Sequence, residues 1–376
     1  MRIAIIGDMI TMSTGYGVDT LEMLTELKNR GHDVANISVQ YSGYPFSINR
    51  IGIYGGQTHE EIVRSALQFK ADVAIHFRDL WYGTKYTRNP YHIYRQLHSH
   101  GIKFVQYSPV QNSDMPKEFD DMIDESDLTI FPTKWAYDYY RKRYDNVGYV
   151  PHSVQHGIER LYISRDERPF SLPSGMMMMN VGFAQDWRKQ TPLVLLLLSM
   201  YLKHDSSAFA YLHTQITSYY DNMYYAIHLG IPKDKAIFPP STDPGNYLHN
   251  ASVDALNKLY NSADVYCNFS SSEGFDQTSL EAASLGIPVL VTDTPVRREV
   301  LSDFSNVHFI KSYQWIPTPV SWFDYMPDMN EALNTMLKIS ETGFKKAPPK
   351  FKKEYTIKNT INRLLTEIAL LGIARR

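Results

Sequence analysis

The chain has 376 residues, enough for two domains. Hydrophobic residues make up 43% and charged residues 21%, the balance of a globular protein, and a formal net charge of -2 leaves no electrostatic footprint for a dedicated nucleic-acid binder. The single cysteine, Cys267, excludes a disulfide framework and a Cys-rich zinc site and fits a reducing compartment. No uncharged apolar run approaches about 18 residues, so no membrane-spanning helix is expected.

Residues 2–7 form a short apolar run ending in Gly7 and read as a buried parallel strand rather than a signal peptide. Gly15 and Gly17 mark a loop after it, and Leu21, Leu24 and Leu27 give helical spacing over 19–30. Gly31 stops that helix, and a second strand is expected over 34–39. The pattern then repeats as helix 60–69, strand 72–77, helix 91–100, strand 103–107, strand 128–131, helix 134–144 and strand 147–150. The polar stretch 164–175, with Pro169, Pro173 and Gly175, reads as a linker.

Beyond the linker the alternation restarts. Strand 176–182 is followed by helix 191–202, with Pro192 near its first turn, strand 208–214, helix 219–229 and a short strand at 237–239. Helix 253–262, strand 263–269, helix 278–285 and strand 288–292 follow, and 353–374 is helical with a basic start. This predicts two α/β doubly wound domains, 1–165 and 166–352, with 353–376 as a C-terminal helix packing back toward the first domain. Ligands of such pairs bind at the carboxyl ends of the strands, in a cleft between the halves.

The densest chemistry lies at 270–289. Gly274 permits a sharp turn and a close ligand approach. The first free N–H groups of the following helix, around Phe275, Asp276 and Gln277, with the hydroxyls of Thr278 and Ser279, make an anion site. Glu273 and Glu281 flank it, roughly 12 Å apart if the span were helical. Both suit hydrogen bonds from hydroxyl groups. A nucleotide sugar has that layout, with hydroxyls at both ends and a diphosphate between. After the strand at 176–182, Arg188 and Lys189 stand at the mouth of the next helix, where a guanidinium and an ammonium together neutralise a diphosphate without a metal.

The string Ser-x-x-Glu-Gly-Phe at 270–275, with Leu-Glu-Ala-x-x-x-Gly-x-Pro-Val at 280–289, resembles the signature of glycosyltransferase family 4. These are retaining enzymes of the GT-B fold, with two Rossmann-like domains facing across a cleft. The resemblance implies that Glu273 contacts the donor sugar and Glu281 the ribose. It implies that the backbone N–H groups of Phe275 and Asp276 meet the donor and that Arg188 and Lys189 serve its diphosphate. The family often has Gly where this chain has Asp276, and Arg where it has Phe183. Gly15, Tyr16 and Gly17, followed by Leu27, Gly31, His32 and Val34, resemble the family's N-terminal Gly-rich loop, which approaches the donor phosphates and the acceptor. Tyr107 and Gln111 fall where several relatives carry acceptor-side residues, and the His that many use there is absent.

The reading that follows is a retaining, metal-independent hexosyltransferase. Its donor is a UDP-, GDP- or ADP-sugar, its acceptor a sugar, lipid or protein glycan, and it needs no cofactor, metal or nucleic acid. A GT-B epimerase or phosphorylase, and a non-catalytic protein that binds nucleotide sugars or carbohydrate, stay open as alternatives. Gly7, Gly15 and Gly17 do not fit a dinucleotide fingerprint, and no Asp-x-Asp occurs. His152 and His156 have a zinc-like spacing, but Pro151 and Gly157 place them in a loop. Lys345, Lys346, Lys350, Lys352 and Lys353 form a candidate contact with an anionic lipid surface, as for a cytoplasmic protein peripheral on the inner membrane face.

Overall fold

The structure is a computed structural model that describes residues 1–12, 14–80, 91–111, 120–182, 187–214, 216, 219–239, 252–318 and 323–372. The chain divides into two compact units, 1–153 with 353–376, and 154–352.

In the first unit, β1 (Arg2–Gly7), β2 (Asp33–Ser38), β3 (Phe46–Ile48), β4 (Ile51–Gly55), β5 (Val73–Phe77), β6 (Lys103–Tyr107), β7 (Leu128–Phe131) and β8 (Val147–Tyr149) form one sheet in the order β3-β4-β2-β1-β5-β6-β7-β8. Its pairings are parallel except for the β3–β4 hairpin. Both faces of β1 are buried. Ile3 and Ile5 pack with Leu24 and Leu27 of α1 (Gly15–Asn29) and with Ile361 and Leu364 of the last helix, while Ala4 and Ile6 pack with Ile62 and Ala66 of α2 (His59–Phe69). That double burial is why the strand reads as an unbroken apolar run.

The last helix, Ile357–Ala369, belongs to this unit. Its Ile361, Leu364 and Ile368 recur at helical spacing and enter the core. Arg30 Nη1 donates to Asn362 Oδ1 at 2.6 Å, and Thr360 Oγ1 donates to Pro151 O at 2.9 Å.

In the second unit, β9 (Met177–Val181), β10 (Phe209–His213), β11 (Ala236–Ile237), β12 (Val265–Asn268), β13 (Val289–Thr292) and β14 (Val307–Ile310) pair in parallel in the order β11-β10-β9-β12-β13-β14. The helix Thr191–Tyr201 is apolar on all sides because it is buried. Its leucines pack with Met176 and Met178 on one side and with Met336 and Ile339 of the helix Met329–Glu341 on the other. An antiparallel ribbon, β15 (Ser312–Pro317) with β16 (Phe323–Pro327), follows β14.

The unit boundary falls at 153/154, against the expected 165/166. The polar segment read as a linker is tied into the second unit by bonds that composition does not reveal. Glu159 N donates to Asn257 Oδ1 at 3.1 Å, Leu161 N to Asn261 Oδ1 at 2.9 Å, and Arg168 Nη2 lies 2.7 Å from Asp264 Oδ2. The expected loop at Gly15 and Gly17 is the first turn of α1, capped by Thr14, whose hydroxyl accepts from Gly17 N at 3.0 Å.

Candidate functional site

Within the second unit, the chain leaves β12 at Asn268, makes a buried loop over 269–276, and enters the helix Gln277–Ser284. Asn268 folds the loop back on itself. Its Oδ1 accepts from Ser270 N at 3.0 Å and Ser270 Oγ at 2.7 Å, and its Nδ2 donates to Asp276 Oδ1 at 2.8 Å. Only the last part of the Glu273–Glu281 span is helical, so the helical rise does not measure their separation.

The turn Trp187–Lys189 lies against this loop, with Ser271 N donating to Arg188 O at 2.8 Å. Glu273 is gripped by both cations of the turn. Arg188 Nη1 is 3.2 Å from Oε2, and Lys189 Nζ is 2.8 Å from Oε1. Arg188 Nη1 also donates to Ser272 O at 3.1 Å. Burial pushes the Glu273 carboxyl up, but the charges of Lys189, Arg188 and Arg297 overcome it and hold the group at about 2. It is therefore a carboxylate at any ordinary pH. Glu281 accepts from Tyr260 Oη at 2.8 Å, and burial with the nearby Glu281 charge drives the Tyr260 phenol well above its usual range.

The structure thus brings Arg188, Lys189 and Glu273 into direct contact, with Gly274, Phe275, Asp276, Gln277 and Thr278 leading into the helix that carries Glu281. Gln277 and Thr278 are half-buried in the first turn. Ser279 does not fit the expected anion site. It is fully buried, and its hydroxyl accepts from Asn268 Nδ2 at 3.2 Å. Phe183 lies outside the described residues.

Gly15, Tyr16, Gly17, Tyr107 and Gln111 belong to the first unit. Gly17 is explained by packing, since a Cβ there would sit 2.4 Å from Met12 O. Tyr16 packs edge-on against Phe77, their centroids 5.0 Å apart. Tyr107 corrects its acceptor-side assignment. It is fully buried, stacks on His152, and its hydroxyl donates to Val150 O at 2.7 Å. A parallel strand buries both faces, so its last aromatic need not face a ligand. Gln111 is buried and donates to Asp79 Oδ1 at 3.3 Å. His152 is also core, and burial holds its imidazole down at about 3.

Two arrangements escaped sequence reasoning. In the first unit, Asp8 follows β1 and Arg78 follows β5, the two strands at which the sheet reverses its order. They form a buried ion pair, and Asp8 also accepts from Thr14 Oγ1 at 2.6 Å and Gln40 Nε2 at 2.8 Å. Such a reversal is the usual ligand position in open α/β sheets, and a charged residue directly after each strand was the available signal. In the second unit, Asp324 of β16 is fully buried. It accepts from Ser271 Oγ at 2.9 Å and Trp187 Nε1 at 3.3 Å, tying the loop to the cationic turn.

The lysine run read as a lipid contact is largely engaged inside the second unit. Lys346 Nζ donates to Asn261 O at 2.6 Å, Lys350 Nζ donates to Asp303 O at 2.7 Å, and Lys352 Nζ lies 2.8 Å from Asp303 Oδ2. Among the described residues, no helix is long and apolar enough to cross a membrane.

Residues 245–316 match the family Glycosyl transferases group 1. Among curated proteins, none matches the sequence significantly. The chain shares its fold with GT-B glycosyltransferases of known structure. Sucrose-phosphate synthase from Thermosynechococcus elongatus superposes with a TM-score of 0.68 at 13% identity, covering 99% of this chain and 96% of that one. WaaG, a glycosyltransferase involved in lipopolysaccharide biosynthesis, gives 0.65 at 12% identity, with 99% of each chain covered. The pneumococcal O-GlcNAc transferase GtfA, solved in complex with UDP and GlcNAc, gives 0.65 at 10% identity, again with 99% of each chain covered.

Proposed function

We propose that this chain is a retaining, metal-independent glycosyltransferase that moves a hexosyl group from a nucleotide diphosphate sugar to a carbohydrate or lipid-linked acceptor. The observation that carries the reading is Glu273, held ionised between Arg188 and Lys189 at the mouth of the helix Gln277–Ser284, inside the segment that matches the family.

Transfer breaks the bond between the anomeric carbon and a diphosphate oxygen, and negative charge grows on that oxygen. Arg188, Lys189 and the first amides of the helix stabilise it. Glu273 accepts hydrogen bonds from the sugar hydroxyls, and Glu281 accepts them from the ribose. The acceptor oxygen bonds to the anomeric carbon on the face the diphosphate leaves. Its proton passes to the departing phosphate oxygen, and bonding on that same face retains the configuration. In this reading the first unit serves the acceptor.

The test is a thermal-shift screen against UDP-, GDP- and ADP-sugars, followed by NMR of the product formed with the best donor. Stabilisation by one nucleotide sugar, and a product of unchanged anomeric configuration whose yield is insensitive to EDTA, are expected. An inverted product, or no stabilisation by any donor, overturns the reading.

A further inference from the structure

The loop over 270–276 carries Glu273, yet its shape is set from outside it. Arg297, in the helix Pro295–Leu301, is fully buried. Its Nε donates to Asp276 Oδ2 at 2.5 Å, and its Nη1 donates to Ser270 O at 2.8 Å and Thr292 O at 3.2 Å. One guanidinium therefore clasps both ends of the loop and pins them to the end of β13.

The partner it selects is an unusual one. Asp276 has φ 65° and ψ 53°, a left-handed conformation that glycine adopts freely and a residue with a Cβ adopts at a cost. Burying two opposite charges is also expensive unless every polar atom is satisfied. Here Arg297 Nη2 is buried with no hydrogen-bond partner. A glycine with an apolar neighbour would make the same turn without these penalties, so stability alone does not explain the pair. What the pair adds is a clasp on both ends of the loop, with the Arg297 guanidinium among the charges that hold Glu273 ionised.

We propose that Asp276 and Arg297 are a positioning pair that fixes the 270–276 loop, so that Glu273 meets Arg188 and Lys189 and the first amides of the helix Gln277–Ser284 are presented to the donor. The inference deepens the donor-site reading and rests on it for its functional half. Neither side chain touches the donor. Asp276 contributes through its backbone conformation, and Arg297 through its grip on the two loop ends.

The test compares D276G, R297M and the double variant D276G/R297M. Each single change leaves one charge buried without its partner, and both are expected to lower Tm substantially. The double variant removes both charges, lets glycine take the left-handed turn, and recovers most of the lost Tm. In that well-folded variant, the amides of residues 271–275 should exchange with deuterium about tenfold faster than in the wild type. Its kcat for transfer should fall by about tenfold or more. Wild-type exchange in this loop together with wild-type turnover in the double variant would overturn the inference, leaving the pair as packing. A double variant no more stable than either single one would overturn it too, because the residues would not then act together. Failure of the wild type to bind any nucleotide sugar would sink the donor reading alone, and the exchange comparison would still decide whether the pair positions the loop.

Discussion

The ammonium of Lys189 lies 2.8 Å from Oε1 of Glu273, with Arg188 Nη1 3.2 Å from the other carboxylate oxygen. Sequence reasoning assigned the cations to a diphosphate and the carboxylate to a sugar, as separate contacts. They form one unit, in which each group sets the charge and orientation of the other. In the proposed reading a donor meets a carboxylate already ionised and aimed, so little reorganisation is left for the reaction step. Glu273→Ala should therefore cut kcat/KM for transfer by about two orders of magnitude or more. Steady-state kinetics on the variant, with circular dichroism to confirm folding, checks this, and unchanged turnover rules out the donor-site assignment.

The cations carry the complementary prediction. Arg188→Ala with Lys189→Ala removes the two cations paired with Glu273, the charges that the proposed reading assigns to a diphosphate. Calorimetric titration with UDP or GDP should show affinity weakened by about tenfold or more. Equal affinity in the double variant eliminates the clamp.

The pH dependence of stability follows from the same contact. Glu273 titrates at about 2 in the folded chain, against an ordinary value of 4.5. A depressed carboxyl contributes stability that is present in full above the unfolded value and is lost as pH falls through the folded one. Lys189→Met raises the folded value and so removes part of that contribution. The Tm gap between wild type and Lys189→Met should be widest above about pH 5 and should shrink as the solution is acidified toward about pH 3. Calorimetric scans across that range test it, and a gap that widens on acidification contradicts the assignment.

Some of this was legible in the sequence for a definite reason. Strands such as 2–7, 176–182 and 288–292 are buried on both faces, so they appear as apolar runs that need no partner to be recognised. The string from Glu273 to Glu281 stands out as a pattern because its residues are neighbours in the chain, whereas the contacts of Glu273 with Arg188 and Lys189 come from the fold. The β3–β4 hairpin was hidden because its turn is Asn49 and Arg50, at φ 50° and 63°, without the glycine that usually marks such a turn. The ribbon β15–β16 was hidden because Tyr313, Trp315 and Phe323 are exposed, so the strands show no clean alternation. Asp8 with Arg78, and Asp324 with Trp187, were out of reach because each pair is assembled by the fold from distant positions. Tyr107 was misread because an aromatic at a strand end looks the same in sequence whether it faces a ligand or the core.

Gly17 separates packing from ligand contact in the first unit. A Cβ at this position would lie 2.4 Å from Met12 O, a backbone atom that cannot swing aside as a side chain does. Gly17→Ala should cost about 1–3 kcal/mol through backbone displacement in the first turn of α1. Urea unfolding measures the cost, and a variant as stable as the wild type would show that the Met12 segment yields freely.

Asp324 supplies the last prediction, because it acts on the site from a ribbon outside the motif. Its carboxylate accepts from Ser271 Oγ and from Trp187 Nε1, while Tyr325 N donates to Ser271 O at 3.1 Å. Ser271 in turn donates its amide to Arg188 O, so the ribbon, the loop and the cationic turn share one node. Asp324→Ala removes the acceptor shared by both donors, taking this partner from the half-buried Trp187 Nε1 and leaving Ser271 Oγ with its longer bond to Arg188 O at 3.3 Å. The turn and the loop then lose their common anchor, and nucleotide-sugar affinity should fall by about fivefold to tenfold although Asp324 is no donor contact. Trp187 provides an independent readout. Loss of its indole hydrogen bond should shift the tryptophan emission of Asp324→Ala, and that shift should vanish when the same change is made in a Trp187→Phe background. Asp324→Asn keeps an acceptor oxygen of the same shape and should retain most of the affinity. If alanine and asparagine behave alike and both match the wild type in affinity and emission, the ribbon has no hold on the site.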